Sequence, residues 1–173
     1  MKLAQGWQGL ALGVLTWIGT GCAGYHLGSP HAGMLAGRTI QVLPVVNETV
    51  EPRLGEILTS ALRRQVQREG TFSLAGSDPP DLILTTTVTS FHRHAVSFDP
   101  NDVLRPRDLQ VALEARVRVV QRSSGQVVMD RSFQGRRLMR IGPDLASAER
   151  QTLPMVAEEL ARQVVVALAE GQW

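Results

Sequence analysis

The chain has 173 residues, 43% of them apolar and 20% charged, with a formal net charge of +2. That is the composition of an ordinary globular protein with room for one hydrophobic core, not of a disordered or fibrous chain. A single cysteine, Cys22, excludes an internal disulfide framework and any multi-cysteine metal site, and the predominance of arginine over a lone lysine, Lys2, is not by itself a sign of nucleic-acid binding.

Lys2 is followed by a nine-residue apolar run, residues 10–18 (LALGVLTWI), and then by Gly19-Thr20-Gly21 directly before Cys22. This is the pattern of a secretory signal peptide, and the run is too short to anchor as a membrane span, which takes about 20 residues. Small residues directly before a cysteine are where lipoprotein signal peptides are cut, although the aliphatic residue, Ile18, stands at −4 rather than the usual −3. Cys22 would then carry a diacylglyceryl group and an acylated (palmitate) amine, and several acyl chains hold a protein stably at about 0.8 kcal/mol per buried CH₂. The alternative is ordinary cleavage that leaves a free thiol. Ala23 rather than Asp follows the cysteine, so the expected location is the periplasmic face of the outer membrane, a compartment without nucleic acid. Residues 1–21 are read as the removed signal peptide, 22–37 as a lipidated flexible tether and 38–173 as a single α/β domain.

The β-branched run 38–46 (RTIQVLPVV) predicts a first strand, with Pro44 at an edge or exit because it lacks an N–H. Residues 47–49 turn. Residues 52–69 predict a helix, with Pro52 suited to its first position and Leu54, Ile57, Leu58, Ala61, Leu62 and Val66 on one face. Gly70 stops it. Residues 72–75 are short and extended, and 76–80 form a loop. Residues 81–91 (DLILTTTVTSF) predict a second strand, with Leu82, Leu84, Thr86, Val88 and Ser90 on one face. Residues 92–108, with Pro100 and Pro106, read as a long connection.

Residues 109–121 alternate cleanly and predict a third strand, with Leu109, Val111, Leu113, Ala115, Val117 and Val119 inward and Glu114, Arg116 and Arg118 outward. A turn at 123–125 returns the chain as a fourth strand, 127–134. Pairing Ser123 with Val127 sets Phe133 beside Val117, Met129 beside Gln121 and Arg136 opposite Glu114, while Arg131 falls inward next to Val119. Residues 144–170 predict a last helix, kinked or broken at Pro154. Its apolar stripe is Met155, Val156, Leu160, Val164, Ala167 and Leu168. The expected architecture is α+β, a two-layer sandwich of two amphipathic helices on a four-stranded mixed sheet, in the order β-α-β-β-β-α.

Few motifs carry chemistry. His92-Arg93-His94 puts two imidazoles on one face of an extended chain, but the other histidines, His26 and His31, lie in the tether, so a polar strand end is preferred to a metal half-site. There is no G-x-S-x-G, no glycine-rich phosphate loop and no H-E-x-x-H, and Glu158 and Glu159 diverge on a helix. Neither an enzyme, a metal nor a cofactor is expected. Charge is instead concentrated, for residues 105–140 hold nine arginines against three carboxylates. Arg116, Arg118 and Arg136 fall on one strand face, either a solvated surface or a binding face for phosphates or carboxylates, which guanidinium forks match. Phe98, Val103 and Leu104 put apolar side chains into the long connection, where they would meet a partner or pack on the sheet end.

The segments GCAGYHLGS, RTIQVLPVVNETVEPRLGEILTSALRRQVQREGTFSLA and DPPDLILTTTVTSF, with the basic hairpin after them, resemble in order the lipopolysaccharide-assembly lipoprotein family, LptE, most closely its divergent, non-enterobacterial members. The resemblance implies two helices on a four-stranded sheet and no catalysis. It also implies work as the plug and assembly partner of an outer-membrane β-barrel, LptD, and binding of lipopolysaccharide through basic residues on the sheet side. Arg116, Arg118 and Arg136 are candidates for that binding from charge geometry alone. The strand-then-helix segment beginning IQVLPVVNET is also similar to activators of cell-wall synthases and to secretion-channel subunits. That leaves a periplasm-facing module of one of those kinds as the alternative.

Overall fold

The computed structural model describes Gly33 and residues 35–142 and 144–171. Along these run β1 (Thr39–Val42), β2 (Val46–Asn47), α1 (Leu54–Glu69), β3 (Ser73–Leu74), β4 (Leu82–Asp99), β5 (Asp102–Gln121), β6 (Val127–Arg140) and α2 (Leu145–Ala169). Two helices pack on one face of a mixed sheet, as the patterning requires. The sheet has six strands rather than four, ordered β3-β1-β4-β5-β6, with β2 also paired to β4. β1 lies parallel to β3 and β4, and β2 parallel to β4, whereas β4, β5 and β6 are antiparallel neighbours.

Both extra strands have a local cause. Pro44 cannot donate to a ladder, so the predicted first strand is split around it into β1 and β2. Leu43 N–H still donates to Leu84 C=O and Glu48 N–H to Val88 C=O, which keeps the chain beside β4 across the gap. The short extended piece after α1 becomes β3, because Ser73 N–H reaches Arg38 C=O and Ala75 N–H reaches Ile40 C=O.

The largest departure is the predicted connection 92–108, which is a β-hairpin arm. β4 continues to Asp99, β5 begins at Asp102, and only Pro100-Asn101 turns between them. The Asp99 carboxylate accepts from Asn101 N–H and the Asp102 carboxylate from Leu104 N–H, so the two acids brace the turn. Alternation was hidden here because the β4–β5 register slips near residues 89, 96 and 98. A bulged residue sends every later side chain to the opposite face. Ser90, predicted inward, thus faces outward opposite Glu114, while Phe91 and Arg93 join the helix side opposite Leu113 and Val111.

The β5–β6 hairpin is also longer than predicted and sits two residues out of the expected register. Phe133 lies opposite Ala115, Met129 opposite Val119, Arg131 opposite Val117 and Arg136 opposite Ala112. The loop closes by Gln121 N–H to Gln126 C=O, with a further register shift at Val119/Val120. An error of two leaves every side chain on its predicted face, so Phe133 and Met129 are buried as expected.

α1 buries Leu54, Leu58, Ala61, Leu62 and Val66, and Gly70 ends it in the left-handed conformation, φ 80°, with its N–H on Val66 C=O. α2 runs without a break through Pro154, and the carboxylate of Asp144 caps it by accepting from Ala146 and Ser147 N–H. A proline inside a helix costs about 3 kcal/mol. Here Leu153, Val156 and Ala157 are buried on both sides of it and hold the helix in place. Met155, assigned above to the apolar stripe, is 53% exposed. The buried surface instead turns through Leu153, Val156, Leu160, Ala161, Val164 and Val165, because α2 packs on α1 as well as on β5 and β6.

Sheet and helix approach closely at Gly135 of β6, where an added Cβ would lie 2.5 Å from Val156 C=O and 3.1 Å from Leu160 Cβ. Neither atom belongs to a flexible side-chain end, so α2 itself would have to move. Gly135→Ala is expected to destabilise the fold by about 1–3 kcal/mol in denaturant unfolding. Gly142→Ala, where a Cβ meets nothing within 4 Å, is the matched control and should change little.

Candidate ligand and partner surface

The sheet face away from the helices is open. Successive rows across β4, β5 and β6 read Thr85–Arg118–Asp130, Thr87–Arg116–Ser132, Ser90–Glu114–Gln134, His92–Ala112–Arg136 and His94–Gln110–Leu138. Arg116, Arg118 and Arg136 all lie exposed on this face, as predicted. They are not one cluster, because the corrected register puts Arg136 two rows from Arg116, opposite Ala112 instead of Glu114.

The three also differ in how far their charge is already answered. Arg116 grips Asp130 with both arms of its fork, Nε to Oδ1 at 2.8 Å and Nη2 to Oδ2 at 3.1 Å. That bidentate pair holds the Asp130 carboxyl below the ordinary aspartate range, first through the Arg116 hydrogen bond and last through the charge of Arg118. The same contact raises the affinity of Arg116 for its proton. Arg118 stands opposite Asp130 in the ladder and shares its field. Arg136 donates through Nε and Nη2 to the neutral Gln134 Oε1, which orients the guanidinium without cancelling its charge. Asp130 could be found in the sequence, but its role depends on a register that alternation alone does not set.

The arm carries the predicted partner contacts. Phe98 is 49% and Leu104 88% exposed; Val103 lies within β5, and its side chain is outside the described residues. Val96 and Leu138 are also exposed apolar groups on this part of the sheet, missed because arginines and histidines surround them in the sequence. β1 and β2 accompany β4 only as far as Val88, so beyond that point its outer edge has no paired strand among the described residues.

Ion pairs fix the base of the arm. Arg140 Nε meets Asp108 Oδ1 at 3.1 Å, and Ser97 Oγ donates to the other carboxylate oxygen. Ser97 and then Arg140 lower the Asp108 pKa. On the helix side, Arg93 Nε lies 2.8 Å from Glu149 Oε1 of α2 and its guanidinium sits 5.1 Å from the centre of the Phe91 ring. The Arg93–Glu149 contact is close but off the hydrogen-bonding line, so charge rather than a formed hydrogen bond joins the arm to α2.

His92 and His94 project to the open face with ring centroids 6.0 Å apart. Among the described residues no three or more His, Cys, Asp or Glu come together as a metal site, and no helix is long and apolar enough to cross a membrane. Cys22 and most of the tether lie outside the described residues. The chain enters the sheet at Gly37, whose N–H donates to Thr71 C=O.

The family model for lipopolysaccharide assembly, LptE, matches residues 37–168. The chain belongs to the LptE family. The match runs from the entry of the tether to the last turns of α2 and so takes in the arm and the open arginine face. No curated protein sequence matches the chain. Solved structures share its fold at low identity. XCC0632 from Xanthomonas campestris superposes with a TM-score of 0.60 at 14% identity, covering 84% of this chain and 91% of that one. CT253 from Chlamydia trachomatis gives 0.58 at 9%, covering 79% and 98%. The PelC dodecamer from Paraburkholderia phytofirmans gives 0.51 at 19%, covering 80% and 91%. The likeness extends to the fold alone.

Asp130 provides a direct check on how far Arg116 is engaged. Its folded pKa is depressed, so the pair's contribution is complete above the unfolded value of about 3.9 and is lost as pH falls through the folded one. In a carboxyl NMR titration Asp130 should titrate below the ordinary range, and Arg116→Gln should move it up toward that range. An Asp130 midpoint unmoved by Arg116→Gln would show that the fork does not hold the carboxylate in solution.

Proposed function

We propose that this LptE-family chain is a lipoprotein of the outer membrane, held at the periplasmic face through Cys22, with residues 38–173 as its single folded domain. In this reading it acts as plug and assembly partner of an LptD-type β-barrel and binds lipopolysaccharide without catalysing a reaction. The observation that carries the reading is the family match across the fold, from the tether's entry through the arm and open face to α2. The two surfaces divide the work. The open sheet face offers guanidinium groups to the phosphates of lipid A and the inner core, where charge-assisted hydrogen bonds are strongest. The arm offers Phe98 and Leu104, with Leu138 of β6 beside it, to the wall of a barrel, where apolar area leaves water.

The arginines are not equivalent in this role. Arg136 has no carboxylate partner among the described residues, whereas a phosphate at Arg116 must displace or share Asp130. Arg118→Glu with Arg136→Glu is expected to weaken lipopolysaccharide binding at least tenfold with an unchanged circular dichroism spectrum, since hydrogen bonds to charged groups contribute roughly 1.5–3 kcal/mol each. Arg116→Gln alone should weaken it less than Arg136→Gln alone. Undiminished binding by the double variant would reject the arginine assignment.

The partner is tested by mild-detergent pull-down of the tagged chain from native outer membranes. A stoichiometric LptD-type barrel supports the plug reading. The rival, a module that activates a cell-wall synthase or assembles with its own copies in a secretion channel, has a fold relative crystallised as a dodecamer in its favour. Recovery of a synthase, or only of the chain itself in large assemblies, would replace the plug reading with that one.

A further inference from the structure

The register brings together three side chains that the arginine reading does not treat as a group. His92 of β4 and Arg136 of β6 share a row on the open face, with Ala112 of β5 between them. His94 is in the next row, and both imidazoles are exposed. Strands two apart are separated by about 10 Å, and in this row the residue of β5 between them is Ala112, whose methyl group is small. No helix covers this face, yet Ala112 is only 7% exposed, as expected if the long side chains of its neighbours lean over it. The register thus sets a pair of exposed imidazoles on one side of Ala112 and a guanidinium oriented by Gln134 on the other, a surface cradle for an anion. A phosphate with a charge-assisted hydrogen bond of about 2.8 Å on each side spans such a gap.

The surrounding charges favour an anion. Arg136 is braced by Gln134 and makes no ion pair among the described residues. Two carboxylates border the cradle from β5. Glu114 lies one row below and accepts from Ser90 Oγ at 3.3 Å; Asp108 lies beyond His94 and is engaged by Ser97 and Arg140. Arg116 stands two rows below, tied to Asp130, and Arg93 points to the opposite face of the sheet toward Glu149.

We propose that His92, His94 and Arg136 bind a phosphate group, and that the two imidazoles make this binding strengthen as pH falls through the histidine range. The site rests on the lipopolysaccharide reading only for the source of its phosphate, which the lipid or free phosphate could each supply. An unperturbed histidine titrates near 6.5. A bound phosphate favours the imidazolium, so its binding raises both histidine pKa values and affinity grows as pH falls toward about 5.5. A phosphate monoester takes up its own second proton at about pH 6 and loses charge in the same window. That works against the gain, so the histidine contribution is the difference between the chain and a variant without the two imidazoles.

The experiment uses the full chain in detergent micelles at pH 5.5 and 7.5. The probes are hexa-acylated lipopolysaccharide, the same lipid dephosphorylated, and inorganic phosphate. Calorimetry reads affinity, and the histidine C2–H resonances read occupancy. Between pH 7.5 and 5.5 the histidines are expected to tighten binding of the phosphorylated lipid about fivefold for each one that binding raises by a unit, read as the chain's change against that of its histidine variant. His92→Gln with His94→Gln should remove that gain at low pH while keeping the fold, and Arg136→Gln should weaken binding at both pH values.

A response of His92 and His94 to the phosphorylated lipid alone supports the site and identifies a lipid phosphate. A response also to inorganic phosphate supports the site and identifies phosphate itself as the ligand. If the histidines respond to inorganic phosphate but the lipid binds at neither pH, the cradle stands and the lipopolysaccharide reading fails. A pH response of lipid binding that is the same in the chain and in the double variant, or histidine resonances that no phosphate probe moves, would each overturn the proposal.

Discussion

The antiparallel ladder between β4 and β5 is the constraint on which the other elements hang. It pairs Leu82 with Gln121 at one end and Asp99 with Asp102 at the other. β1 and β2 dock on the first half of β4, β6 follows β5, and α2 lies across β5 and β6. Leu84, Val88, Leu113, Val117 and Val119 on the inward side of this ladder are buried against the helices. Burial of this kind contributes about 25 cal/mol per Å² of apolar surface removed from water. A slip of one residue between β4 and β5 would turn that surface to solvent and the arginines to the core. The ladder thus fixes the core and the charged face by the same register.

One consequence is that the two faces of the sheet can answer to different demands. The inward face is set by close packing, as where Gly135 meets the backbone of α2. The outward face has no overlying helix, and its residues are threonine, histidine, arginine and glutamine in rows. It tolerates substitution without loss of the core, which is what a surface that meets a ligand needs. Bulges join the two regimes. Near Thr89 the slip brings Arg93 to the helix side, where it meets Glu149. The arm is thereby tied to α2 by a charge contact where apolar packing gives out.

Where residue type and period agree, the sequence states the structure outright. α1 is legible to within two residues because its stripe and its Gly70 agree, although Pro52, expected at the first helical position, stands one residue before the Arg53 N-cap. The inward set of β5 is legible because alternation runs unbroken from Leu109 to Val119. The arm was not legible, since three register slips and two prolines imitate a loop, and pairing in such a segment follows from its neighbour rather than from its own pattern. Pro154 misled for a related reason, as burial on both sides of it outweighs a local penalty that is all the sequence displays. On the open face the identity of the outward arginines could be read, but not their partners. Whether Arg116 meets Asp130 or Arg136 meets Glu114 turns on a register offset of two, which leaves the hydrophobic pattern unchanged.

The 18-residue strand β4 also gives the molecule a length. At about 3.3 Å per residue it measures roughly 55 Å along its course. The chain enters the sheet where Thr39 N–H and hydroxyl donate to Asp81, just before β4 begins, and the arm turns back at the far end of the same strand. A bilayer with its headgroups is about 40–45 Å thick. A grip on the entry point and a touch at the turn thus fall at opposite ends of one strand whose course is longer than that thickness. One continuous ladder joins the two ends, so what bears on one is connected to what bears on the other through paired backbone alone.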